Sequence, residues 1–251
     1  MNSQVLVKEP KVYLFGNLFP HSISLGFTSR QDGNMSFSHG DASDTRSNRE
    51  RFLQQHNIDA SRLVCARQVH GDSVACVSAA DAGRGWDTDD TGIPDSDALI
   101  TDRRRVPLAV FTADCLPVFL YDAQNQVIAL VHAGWRGTQE NIAGKTVHAM
   151  MKHYGCQPEN IYAGFGPAIR SCCYEVGEEF TGRFKHGLIC REERYYLDLV
   201  KANKEQLRSR EVKTSNMFDS GICTACRNDE YFSYRREGAS CARAMSVLAI
   251  R

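Results

Sequence analysis

Three short segments carry reactive side chains next to apolar runs and turns: Gln68-Val69-His70-Gly71, Thr112-Ala113-Asp114-Cys115-Leu116-Pro117 and His132-Ala133-Gly134-Trp135-Arg136-Gly137. A turn at the end of a rigid strand is both held and accessible, and binding groups concentrate there. His70, Cys115 and His132 are borderline-soft donors that suit zinc, with copper as the alternative. Three protein ligands leave a fourth position open for water or substrate, the pattern of a catalytic metal. The separations are 45 and 17 residues, so no compact ligand motif supports the set. Taken singly, each histidine reads equally as a core or surface residue and Cys115 as a buried thiol. Asp114 could move a proton, or accept a hydrogen bond from a ligating histidine.

HAGWRG also reads as a strand-to-helix turn. Free N–H groups at a helix start bind anions, and Arg136 adds a donor fork, so a phosphate or carboxylate could sit there. The competing reading is a tight turn with Trp135 in the core. Cys223-Thr-Ala-Cys226 is a CxxC, but its sequence context supplies no second pair. The adjacent Cys172-Cys173 looks unsuited to chelating one tetrahedral ion, so these read as core or surface thiols. A deaminase HxE with PCxxC, a G-x-S-x-G elbow, a P-loop and a GxGxxG are all absent.

The elements that must position these groups are short. LVCARQV, SVACV, DALIT, PLAVFT, PVFLY, VIALVHA and NIYAGFG read as strands, and the runs near Phe232 and Met245 as a return to the sheet. Helices are expected after a cap at Ser43 or Asp44, at Thr138–Tyr154 ended by Gly155 and Pro158, near Glu178–Phe184, and at Asp198–Ser209. Gln31 to Asp44 and Ala79–Ser96 read as loops. Strands outnumber helices without strict alternation. That argues for an α+β fold: one domain over residues 1–251, with a mixed β-sheet core and flanking helices.

The 251 residues hold 30 Lys plus Arg and 30 Asp plus Glu, so no global field favours nucleic acid or an anionic membrane. No apolar stretch approaches the roughly 20 residues of a spanning helix. The N-terminal residues lack the pattern of a signal peptide, so a cytoplasmic protein with free thiols is expected despite ten cysteines. The remaining histidines, His21, His39, His56, His148, His153 and His186, form no paired ligand arrangement.

A collinear series of motifs covers nearly the whole chain: GFTSR (26–30), NRERF (48–52), RQVHG (67–71), DSDALIT (95–101), TADCLPV (112–118), VHAGWRGT (131–138), GFGPAIRSCCYEVG (164–177), YLDLVKAN (196–203) and YFSYRREG (231–238). In these the chain resembles the bacterial laccase-domain family, variously called polyphenol oxidase, purine nucleoside phosphorylase or peptidoglycan editing factor. The resemblance implies a metal held by His70, Cys115 and His132, and Arg30 lining the same pocket. Arg136 is a further candidate anion contact from its own position. One departure is His39-Gly40, where Leu-Asn is common.

Three activities follow from the resemblance. The first is a zinc-dependent purine nucleoside phosphorylase acting on adenosine, inosine and methylthioadenosine, with adenosine deaminase activity. Its catalytic residues would be Cys115, His132 and Asp114, and its partners only small molecules, a purine nucleoside and phosphate. The second is a copper polyphenol oxidase. The third is a hydrolase of cell-wall precursors with Cys115 as nucleophile. The sequence is compatible with a monomer or a homodimer.

Overall fold

Apolar residues occupy both faces of the strands Leu116–Asp122 and Val127–Ala133, and the two faces belong to different cores. Leu116, Val118, Leu120, Val127, Ala129 and Val131 pack to one side. Phe119, Tyr121, Ile128 and Leu130 pack to the other. Side chains alternate along a strand, so a run that is apolar throughout must be covered on both faces. The computed structural model, which describes residue 20 and residues 22–251, meets this with two stacked sheets. The N-terminal segment and His21 lie outside the described residues.

The larger sheet orders six strands as Met217–Asp219, Ile161–Phe165, Leu116–Asp122, Val127–Ala133, Ala98–Thr101 and Val74–Cys76. The smaller orders four: Ile23–Phe27, Ala244–Ile250, Leu108–Thr112 and Val64–Cys65. Both are mixed. Parallel pairs join Val74–Cys76 to Ala98–Thr101, Met217–Asp219 to Ile161–Phe165, and Val64–Cys65 to Leu108–Thr112. A three-stranded antiparallel sheet, Leu188–Arg191, Arg194–Leu197 and Glu175–Val176, stands apart.

Helices cover the outer faces. Ile142–Tyr154 and Leu199–Arg208 bury Val147, Met150, Leu199 and Leu207 against the larger sheet. Ala42–Gln55 places Phe52 and Leu53 beside Met245 and Val247 of the smaller. The expected α+β class with a mixed-sheet core and flanking helices holds, as two sheets between helical layers. Burying each large aliphatic or aromatic side chain contributes about 1.5–3 kcal/mol.

Four expectations shift. Asp41, not Ser43 or Asp44, caps the first helix, accepting from the N–H groups of Ser43 and Asp44. The helix expected at Thr138–Tyr154 is two, Trp135–Gln139 and Ile142–Tyr154, because Asn141 adopts φ 67° between them. Near Glu178 there is a single 3-10 turn, Glu178–Phe180. The segment around Phe232 leads into a short helix, Tyr234–Glu237, rather than a strand.

Two connections cross from the smaller sheet to the larger. Ala113, Asp114 and Cys115 step from Leu108–Thr112 to Leu116–Asp122, with Asp114 at φ 85°. Residues 66–73 step from Val64–Cys65 to Val74–Cys76 and carry His70 at φ 59°. The split between the sheets therefore ends where the reactive residues lie.

Candidate metal centre

His70, Cys115 and His132 converge: their candidate ligand atoms all lie within 4.8 Å of one another. Strand register explains two of them. Pro117 pairs with His132 and Leu116 with Ala133, which sets Cys115 opposite Gly134 at the strand ends. The His70 and His132 rings meet edge to face with centroids 4.8 Å apart. His132 is buried, Cys115 half-buried and His70 exposed, so the group opens outward at His70.

One carboxylate organises the centre. Asp97, fully buried at the start of Ala98–Thr101, accepts from His132 Nδ1 at 2.7 Å. It also accepts backbone N–H groups from Val69 (3.2 Å), His70 (3.1 Å) and Gly71 (2.7 Å). The Nδ1 proton is thereby committed to Asp97, and Nε2 of His132 is the nitrogen left for the shared centre. Burial works against ionising Asp97, but these hydrogen bonds outweigh it and hold its carboxyl below the usual range. Gln68 adds a second anchor, exchanging two hydrogen bonds with the Phe111 backbone (2.9 and 2.6 Å).

The glycines of HAGWRG have separate jobs. A Cβ on Gly134 would meet Cys115 Sγ at 3.1 Å and His70 Cδ2 at 3.4 Å. A Cβ on Gly137 would meet the carbonyl oxygen of Gly71 at 2.5 Å. The first leaves room for the ligands and the second lets the His70 loop approach.

Charge within the group is tightly coupled. Burial pushes the Cys115 thiol up, yet the His132 and His70 imidazoles beside it prevail and bring it down to about 6. Burial opposes a charge on His132, yet Cys115 and Asp97 raise it to about 9. A thiolate, a neutral imidazole nitrogen and a tautomer fixed by a carboxylate are the donors zinc or copper requires, so the residues fit a metal.

The other expected site residues lie differently. Asp114 flanks Cys115 but bonds neither histidine; it accepts from Thr224 Oγ1 (2.6 Å) and the Arg235 N–H (2.7 Å). The histidine-orienting role belongs to Asp97, which the sequence reading missed although DSDALIT was in view. Its one available signal was an acidic residue at the head of an apolar strand. Arg30 is not among the cavity-lining residues. Its guanidinium stacks on Phe232 and bonds Glu237 at 2.6 Å. Arg136 is exposed on a five-residue helix, against the Trp135 ring.

A cavity of about 630 Å³ opens over the centre. Its cationic lining is Arg67, Arg235 and Arg243, none of which the sequence reading singled out. Phe111, Trp135, Tyr174 and Tyr234 supply aromatic faces. Ser36, Ser38 and His39 bring the polar loop into contact, and His39 Nδ1 is buried without a hydrogen-bond partner among the described residues.

The sequence profile described as multi-copper polyphenol oxidoreductase laccase matches residues 24–251. The chain belongs to that family. Within the laccase family, a purine nucleoside phosphorylase, YlmD of Geobacillus stearothermophilus, is 34% identical over 220 residues, 84% of this chain and 80% of its own length. An adenosine deaminase, RL5, from an unknown prokaryotic organism is 32% identical over 204 residues, 78% of each chain. The crystal structure of YlmD from Geobacillus stearothermophilus superposes with a TM-score of 0.88 at 32% identity, covering 92% of this chain and 93% of that one. Laccase-family members thus carry names from purine chemistry as well as phenol oxidation.

Proposed function

We propose that the chain is a zinc-dependent purine nucleoside phosphorylase acting on adenosine, inosine and methylthioadenosine, with adenosine deamination as a second activity. The observation that carries this reading is the cavity, which sets the His70–Cys115–His132 group beside aromatic faces and three guanidinium groups. Its volume suits a nucleoside. The names of the relatives point the same way.

Zinc held by His70, Cys115 and His132 would supply Lewis acidity. The chain's own residues do the rest. Arg67, Arg235 and Arg243 neutralise phosphate and aim one of its oxygens at C1′. Phe111 and Tyr174 offer ring faces to the purine, and His39 Nδ1 a polar contact. The new bond joins phosphate oxygen to C1′, the C1′–N9 bond breaks, and its electron pair leaves with the base, which takes up a proton. The proton comes from the attacking hydrogen phosphate, and Asp114, whose carboxylate accepts two hydrogen bonds and keeps lone pairs in reserve, takes it up and passes it to the base. Arg30 is a positioning residue: through Glu237 it fixes the short helix bearing Tyr234 and Arg235.

His and Cys donors also accept copper. Polyphenol oxidation by several coppers needs further histidine clusters. Among the described residues the only other converging ligand group is four cysteines.

One observation favours a second reading. Cys115, His132 and Asp97 form a thiol–imidazole–carboxylate series suited to a nucleophilic hydrolase of cell-wall precursors. Metal dependence separates the two. Chelated protein incubated with adenosine and phosphate should release neither adenine nor inosine, and added zinc should restore both adenine with ribose 1-phosphate and inosine. Activity that rises on chelation, or zinc-loaded protein that makes no product from any of the three nucleosides, would defeat the nucleoside reading.

A further inference from the structure

Two segments far apart in sequence bring four thiols together. Residues 171–173 form a turn in which the N–H groups of Cys173 and Tyr174 both donate to the Arg170 carbonyl at 2.8 Å. That turn directs the adjacent Cys172 and Cys173 to one side. Across from it, the Cys223-Thr-Ala-Cys226 segment is fastened by backbone hydrogen bonds: Ala168 N–H donates to the Ile222 carbonyl (3.3 Å) and Thr224 N–H to the Ala168 carbonyl (3.1 Å). Arg170 Nε adds a third link to the Ile222 carbonyl at 3.0 Å.

The four Sγ atoms all lie within 4.8 Å of one another. Cys226 Sγ is 3.5 Å from Cys172 Sγ and 3.4 Å from Cys173 Sγ. Four thiolates around a tetrahedral zinc, each about 2.3 Å from the ion, stand about 3.8 Å apart. The spacing therefore brackets that of a closed site of four cysteine thiolates. Adjacent cysteines looked unsuited to sharing an ion, but the turn at 171–173 brings both sulfurs to Cys226.

The surroundings suit bound thiolates. Backbone N–H groups of Cys226 and Arg170 point at the Cys223 sulfur. Four thiolates and one divalent ion leave two negative charges. Arg191 bonds the Ser171 carbonyl (3.4 Å) and Arg236 the Ala225 carbonyl (3.0 Å), placing two guanidinium groups beside the cluster. We infer that Cys172, Cys173, Cys223 and Cys226 form a second metal site, a structural centre for zinc distinct from the His70–Cys115–His132 group. It ties Cys173, whose neighbour Tyr174 lines the cavity, to the segment whose Thr224 bonds Asp114. Its role is to hold that side of the cavity together.

Native mass spectrometry of the full chain, purified with zinc under a thiol reductant, tests this independently of any activity. The expected result is two zinc ions per chain, one in Cys115→Ser, one in Cys226→Ser and none in the double variant. One zinc in the wild type that is lost in Cys115→Ser and kept in Cys226→Ser would overturn the inference, as would a Cys172–Cys226 or Cys173–Cys226 disulfide with no second ion. If Cys226→Ser does not fold, cobalt in Cys115→Ser gives the answer. Thiolate-to-cobalt absorption is expected there, and its absence overturns the site. A chelator should also lower the Tm of Cys115→Ser, and an unchanged Tm would count against a structural ion.

Discussion

The wall of the cavity that carries Asp97 and His132 is strand and strand end, sealed from solvent and fixed by four hydrogen bonds to one carboxylate. Elsewhere in the lining, Tyr174 and Arg243 sit on irregular segments and Tyr234 and Arg235 on a four-residue helix, with Tyr234 and Arg235 exposed. One wall holds its groups by buried hydrogen bonds, as ligating groups require. The other offers charge and ring faces on long side chains, as recognition of a small polar ligand requires. Substitutions on the first wall should therefore act on turnover, and those on the second on substrate affinity.

The largest effect short of deleting a ligand is expected at Asp97. Asp97→Asn exchanges an acceptor for a group that must also donate, so it breaks the set shared by His132 and the His70 loop. Losses of about 10–100-fold in kcat and in zinc affinity are expected, read by steady-state kinetics and metal titration. An unchanged kcat would mean that the sealed wall does not set the reaction geometry.

Gly137→Ala comes next. Its new methyl group meets a backbone oxygen, so the His70 loop must move. On the order of tenfold in kcat and about 1–3 kcal/mol of stability should go, measured together by kinetics and denaturant melts. Arg235→Ala probes the other wall: KM for phosphate should rise roughly tenfold with kcat little changed. A fall in kcat alone would erase the distinction between the walls.

The smallest effect concerns acid stability. Burial pushes Glu237 up, but Arg30, the Ser233 N–H and Asn228 together bring it down to about 2. A depressed carboxyl stabilises the fold above its unfolded value near 4.5, and that contribution is lost as pH falls toward 2. Glu237→Gln should therefore lower stability at pH 7, where the contribution is fully present, and flatten the stability profile between about pH 4.5 and 2. The pair is partly exposed, so the change will be modest. An identical slope in the variant would show that Arg30 contributes nothing through Glu237.

Much of the sealed wall was legible in the sequence. Continuous apolar runs such as VIALVHA announce strands buried on both faces, and QVHG, ADC and HAGWRG mark their ends. What the runs do not show is that the strands divide between two stacked sheets, because period alone does not say which layer covers which face. Asp97 escaped notice because its partners, His132 and the 69–71 loop, are distant in sequence. The recognition wall was harder still. YFSY has strand-like composition, yet Ser233, held by the Glu237 carboxylate at its N–H, starts a helix. Arg30 sits in a motif expected to line the pocket, but Glu237 and Phe232 take up its guanidinium. Cys172 and Cys173 looked incompatible with one ion because sequence adjacency hides the turn between them.

The most direct measurement compares zinc-loaded wild type with Cys115→Ala, each given adenosine and phosphate, and follows adenine, ribose 1-phosphate and inosine. Wild type should form all three and Cys115→Ala none. Equal product formation by the two proteins would contradict a reaction centre at His70, Cys115 and His132.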